Sequence, residues 1–161
     1  MRLMTALLLA LILVCQAPLD SMAEAEHLYS TWDMLEVDTV ASAWLIRRFI
    51  DTQAEFRFFK KGDIITEGVA FDTPDALFQR SANQSTFESL LTTYKIADRV
   101  LLEIGEIIYD IEINYWSERL RKESEEISRQ INEIIKQAER PDECLDKGFP
   151  IFDRLYKELS N

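Results

Sequence analysis

Two adjacent arginines, Arg47 and Arg48, stand in VDTVASAWLIRRFID, Val37 to Asp51, a segment that is otherwise largely apolar. A guanidinium stays charged at any accessible pH, and its planar fork matches the oxygens of a carboxylate or an inorganic oxyanion. On a helical wheel drawn from Thr39 to Ile50, apolar residues including Val40, Ala43, Trp44, Leu45 and Phe49 fall nearly all round the circumference. Neither arginine is left with a solvent-facing arc. Buried cations need close anionic partners. Either the protein's own acids pair with them, or one of them faces a cleft and binds an anion. Arg80, in the loop before the next helix, would add positive charge to such a cleft.

Other catalytic residue types are scarce. His27 is the single histidine and is expected in a mobile tail. Ser/His or Cys/His chemistry would have to recruit it, and a conventional zinc site lacks its ligands. Glycine-rich phosphate loops and serine elbows are missing from the sequence. A carboxylate pair could act as acid and base, but nothing in the pattern singles one out. The 29 acidic residues against 18 basic give a net charge of -11, which disfavours nucleic acid and anionic lipid as partners.

The first residues, MRLMTALLLALILVCQAPLDSMAEAE, place one arginine before an apolar run and small residues after it, the layout of a secretory signal. The run is about half the ~20 apolar residues a membrane span requires. Cleavage is expected after Ala23 or Ala25, giving a signal peptide over 1–25 and one domain over 26–161 without a stable membrane anchor. The mature chain would keep Cys144 as its lone cysteine, excluding an internal disulfide. A bacterial periplasm is the expected location.

The elements that must position these residues follow from periodicity. TWDMLEV, AEFRFFK and GVAFD read as strands, and Asp38 is placed to cap the helix from Thr39 to Ile50. DTPDALF reads as a turn or short helix with Thr73 as cap and Pro74 following. In STFESLLTTYK, Ser85 and Glu88 form a capping box at a helix start. ADRVLLEIGEIIYDIEI continues helical, and a narrow apolar stripe predicts a long amphipathic helix from Asn114 to Arg140, stopped by Pro141 and packed either on its own domain or against a second copy as a homodimer contact. RPDECLDKGF reads as a loop, with Pro150 opening a last helix. The fold class expected is α+β, a small sheet covered by helices with a helix-rich C-terminal half.

The strings TWDMLEVDTVASAWLIRRFID, GVAFDTPDA, STFESLLTTYKI, IIYDIEINYW and FPIFDRLY together resemble the chromate resistance family, in particular the C-terminal domain of the ChrB type, which also occurs as a short exported protein. The resemblance implies a link to chromate resistance and to regulation of a chromate exporter. It marks Trp44, Arg47, Arg48, Asp72, Glu88 and Asp110 as motif positions, with Asp38 and Tyr109 in supporting places. Relatives often carry His where this chain has Tyr109, and in the turn written here QRSANQ. Without those nitrogens, Asp72, Glu88 and Asp110 could still form an oxygen-rich site for a hard divalent metal ion.

Three functions follow. The first is an ion-binding or sensing module, with Arg47, Arg48 and Arg80 as contacts for a small inorganic oxyanion such as chromate. The second is a metal-assisted enzyme using Asp72, Glu88 and Asp110. The third is a non-catalytic, self-associating protein.

Overall fold

A computed structural model describes residues 27–114 and 117–161. The region read as a signal peptide lies outside these residues, as does Trp116 of the expected stripe. Strand β1 (Leu28–Trp32) is central in a three-stranded parallel sheet of order β2-β1-β3, with β2 (Glu55–Phe59) and β3 (Val69–Ala70) on either side. Leu28 pairs with Glu55 on one flank and Tyr29 with Val69 on the other. Residues 28–31 are buried, as a parallel strand covered on both faces should be. The strand starts and ends earlier than TWDMLEV suggested. Gly68 just before β3 has φ +74, and a Cβ there would sit 2.7 Å from Ser30 Oγ, so only glycine lets the chain pass this close to β1.

Between β1 and β2 runs α1 (Val37–Leu45), every residue of which is buried. This is what its apolar circumference demanded: α1 packs against sequence-distant helices on several sides. The helix does not reach Ile50 in regular form. Ile46–Ile50 is a π-helical turn, closed by the Asp51 N–H donating to the Ile46 carbonyl at 2.8 Å. The wider turn shifts the helical phase. Arg48 and Phe49 therefore reach solvent and Arg47 is half-buried, whereas the regular wheel gave neither arginine an exposed arc.

Four further helices complete the α+β domain: α2 (Thr86–Thr93), α3 (Arg99–Glu112), α4 (Ser124–Gln137) and α5 (Pro141–Leu159). The Ser85–Glu88 capping box opens α2 as the spacing required. The long amphipathic helix of the C-terminal half is α5, nineteen residues, rather than 114–140. That stretch contains a loop anchored by Asp110 and only then α4, whose Ile127 and Ile131 are buried in the domain's own core.

RPDECLDKGF is helix, not loop. Pro141 occupies the first turn of α5, where a missing N–H costs nothing, and Pro150 lies inside the same helix. Trp44 (α1), Phe87 (α2) and Phe152 (α5) meet with ring centroids 5.7–6.5 Å from Trp44 and bind these helices together. Among the described residues no helix is long and apolar enough to cross a membrane.

Candidate functional site

The sequence-marked residues fall in two principal places. The first is built around Arg80. Its guanidinium lies 2.6 Å from Glu36, 3.3 Å from Glu112, 3.6 Å from Asp38 and 3.8 Å from Asp72. Asp38 is wholly buried. It does not cap its own helix; it sits in the first turn of α1 and accepts the N–H groups of Thr86 at 2.7 Å and Phe87 at 2.9 Å, at the start of α2. The cap of α1 is Glu36, whose N–H donates to Thr39 Oγ1. Asp72 has a left-handed backbone, φ +52, and accepts hydroxyls from Thr39 and Thr86.

One guanidinium cannot neutralise four acids. Burial pushes Asp38 up to about 6, against the lowering effect of the Thr86 and Phe87 amides and of Arg80. Burial and the Asp38 charge push Asp72 up to about 7. Glu112 is raised by burial as well. The cluster therefore holds its protons to higher pH than free carboxyls do, and the acids that remain ionised around the single guanidinium repel anions.

The second place is the π turn. Arg48 forms a bidentate pair with Asp153 of α5, Nε to Oδ1 at 3.0 Å and Nη2 to Oδ2 at 2.9 Å. Trp44 Nε1 donates to the same Asp153 Oδ1 at 2.7 Å. Arg48 also lies over the Phe149 ring, 5.7 Å from its centroid, and Arg47 over Phe56 at 5.8 Å. The two rings touch edge to face at 6.3 Å, so both cations rest on one aromatic pair. Arg47 differs from Arg48 and Arg80. Its Nε is shielded from solvent with no hydrogen-bond partner, and among the described residues no carboxylate pairs with it.

Asp72, Glu88 and Asp110 occupy separate settings. Glu88 closes the α2 capping box through the Ser85 N–H at 2.9 Å. Asp110, fully buried at the end of α3, accepts Asn114 Nδ2 at 2.8 Å and the N–H groups of Leu120 and Arg121. Tyr109 beside it is half-buried. Among the described residues no group of three or more His, Cys, Asp or Glu is arranged to hold a metal ion.

Sequence reasoning missed Asp153, Glu36, Glu112 and the two phenylalanines. Phe149 and Asp153 are four residues apart on one helix face, but taking Pro150 as a helix start separated them. His27 was also misplaced. It is no mobile tail: its Nδ1 lies 2.8 Å from Asp51 Oδ2 at the entry to β1.

A parallel three-stranded sheet buried by five α-helices, with a π turn presenting paired arginines to an aromatic seat, defines an α+β domain of the type the motifs anticipated. The chain belongs to the family of ChrB C-terminal domains, which matches residues 29–159 and ties it to chromate resistance. It is 33% identical over 87 residues to Protein ChrB of Cupriavidus metallidurans, a match covering 53% of this chain and 27% of that protein. The chain thus spans about a quarter of the length of that curated relative. No solved structure matches it.

Proposed function

We propose that this domain is an ion-binding and sensing module of the chromate resistance family, that its ligand is a small inorganic oxyanion, and that Arg47 is the principal contact. The observation carrying this reading is the state of Arg47: a half-buried permanent cation whose Nε has no partner, resting on Phe56. An unneutralised guanidinium at partial burial is costly, and an anion supplies the missing charge through the planar fork. Arg48, adjacent on the π turn, is the second contact. Arg80 is the weakest of the three candidates, since Glu36, Asp38, Asp72 and Glu112 already surround it with negative charge. The apolar stripe of α4, once a candidate dimer surface, packs within the domain at Ile127 and Ile131, which favours the binding reading over self-association.

We place the protein in the periplasm, on the strength of the charged, apolar and small-residue zones of residues 1–25. Amino-terminal sequencing of the mature protein should begin at Glu24 or Glu26. Calorimetric titration with chromate and sulfate tests the binding. The parent protein should give a saturable isotherm, and a folded Arg47→Ala variant should lose at least tenfold in affinity, about 1.4 kcal/mol. Equal affinity in the two proteins would defeat the assignment.

A further inference from the structure

Arg48 already has an anion in its fork. Asp153 fills the Nε/Nη2 edge of that fork, with contacts of 3.0 and 2.9 Å, in the geometry an oxyanion would use. The pair is accessible: each side chain is 42% exposed, so an incoming ion can reach it without opening the core. The Phe149 ring under Arg48 and the Asp153 carboxylate come from the same face of α5, so one helix supplies both the seat and the counter-charge.

Resting on the assignment of Arg47 and Arg48 as anion contacts, we propose that Asp153 is the resident counter-ion of that site, and that the ligand takes the Nε/Nη2 edge of Arg48 by displacing it. The ligand class follows from the charges. A singly charged anion would only replace one carboxylate by an equivalent charge, leaving Asp153 without its partner. A doubly charged tetrahedral oxyanion carries charge for both Arg48 and Arg47, which pairs with no carboxylate among the described residues, and the second contact offsets the loss of Asp153. Asp153 thereby sets a threshold that discriminates dianions from monoanions.

The displacement has a built-in reporter. Trp44 Nε1 donates to the Asp153 oxygen that also receives Arg48 Nε, at 2.7 Å. Release of Arg48 changes the charge felt by that indole N–H while the ring stays fixed in the core, where Trp44 is 1% exposed.

Sodium sulfate and sodium nitrate, titrated by calorimetry into the parent and an Asp153→Asn variant, test the proposal, with the Trp44 indole ¹⁵N–¹H resonance followed in parallel. The parent should bind sulfate well ahead of nitrate and shift its Trp44 indole resonance in step with saturation. The variant should bind sulfate roughly tenfold tighter and discriminate less against nitrate. Equal sulfate affinity in the two proteins, with Arg47 still required, removes the role of Asp153 and leaves the anion site standing. An indole resonance unmoved at sulfate saturation overturns the displacement in the parent itself, whatever the folding of the variant. Failure of both proteins to bind sulfate overturns this inference and the anion site together.

Discussion

Asp38 Oδ2 accepts the Thr86 N–H at 2.7 Å across a separation of 48 residues, so an acid in the first turn of α1 satisfies the first amides of α2 beside the Ser85 cap. The bond joins the two helices and fixes the end of the loop that carries Arg80. Replacing Asp38 by Ala strips the Thr86 and Phe87 amides of their acceptor. A destabilisation of about 2 kcal/mol is expected in urea unfolding. Asp38→Asn, which keeps one acceptor oxygen, should recover part of it.

Asp72 should make stability depend on pH near neutrality. Its carboxyl is pushed up to about 7 by burial and by Asp38, well above its value in an unfolded chain. Between those two values the folded state binds more protons than the unfolded one. The stabilising contribution is therefore complete below about pH 4 and is lost as pH rises through about 7. Asp72→Asn should flatten this fall and raise stability at pH 8 by roughly 1–3 kcal/mol. Urea midpoints at pH 5 and pH 8 for both proteins provide the check, and an unchanged slope in the variant would refute it.

Asp110 should act in the opposite sense. Burial alone would raise its pKa, but hydrogen bonds from Asn114 and the amides of Leu120 and Arg121 outweigh burial and hold it at about 2. Its contribution is present above the usual aspartate range and disappears as pH falls towards 2. Asp110→Ala should cost roughly 2 kcal/mol at pH 7 and little at pH 2. It should also loosen the loop up to Ser124, read as faster amide exchange at Leu120 and Arg121.

Gly148 is a packing requirement. A Cβ at this position of α5 would lie 2.6 Å from Val40 Cγ1 on α1. Although alanine is the better helix former, Gly148→Ala should lower stability by about 1–3 kcal/mol. Val40→Ala in the same chain should restore part of the loss, since it removes the obstructing methyl.

The fold class, the order of strands and helices and the α2 cap were legible because each has a local cause. The Ser85–Glu88 spacing specifies its own hydrogen bonds, and the apolar circumference of α1 demands burial whatever surrounds it. The errors have long-range causes. Asp38 has the chemistry of a cap, but only tertiary structure decides which helix's amides it accepts. Pro150 reads as a boundary because its ring forbids one hydrogen bond, yet packing of Ile151, Phe152 and Leu155 into the core carries α5 through it. The π turn leaves no mark in composition, and it decides that Arg48 meets Asp153 while Arg47 meets no acid among the described residues. Arg80 was legible as a charge near a functional position, but its four partners come from parts of the chain that no short motif connects.

Strand β1 is made first among the described elements, yet it is the middle of its sheet. Its neighbours arrive only when Glu55 and then Val69 have been synthesised, and both pairings are parallel. As the chain folds, Leu28–Trp32 must therefore wait with both edges unsatisfied until those segments dock, and it is open to mispairing in that interval. Once Gly68 has slipped past Ser30, the strand is locked on both flanks. Its amides should then be among the last in the molecule to exchange with heavy water.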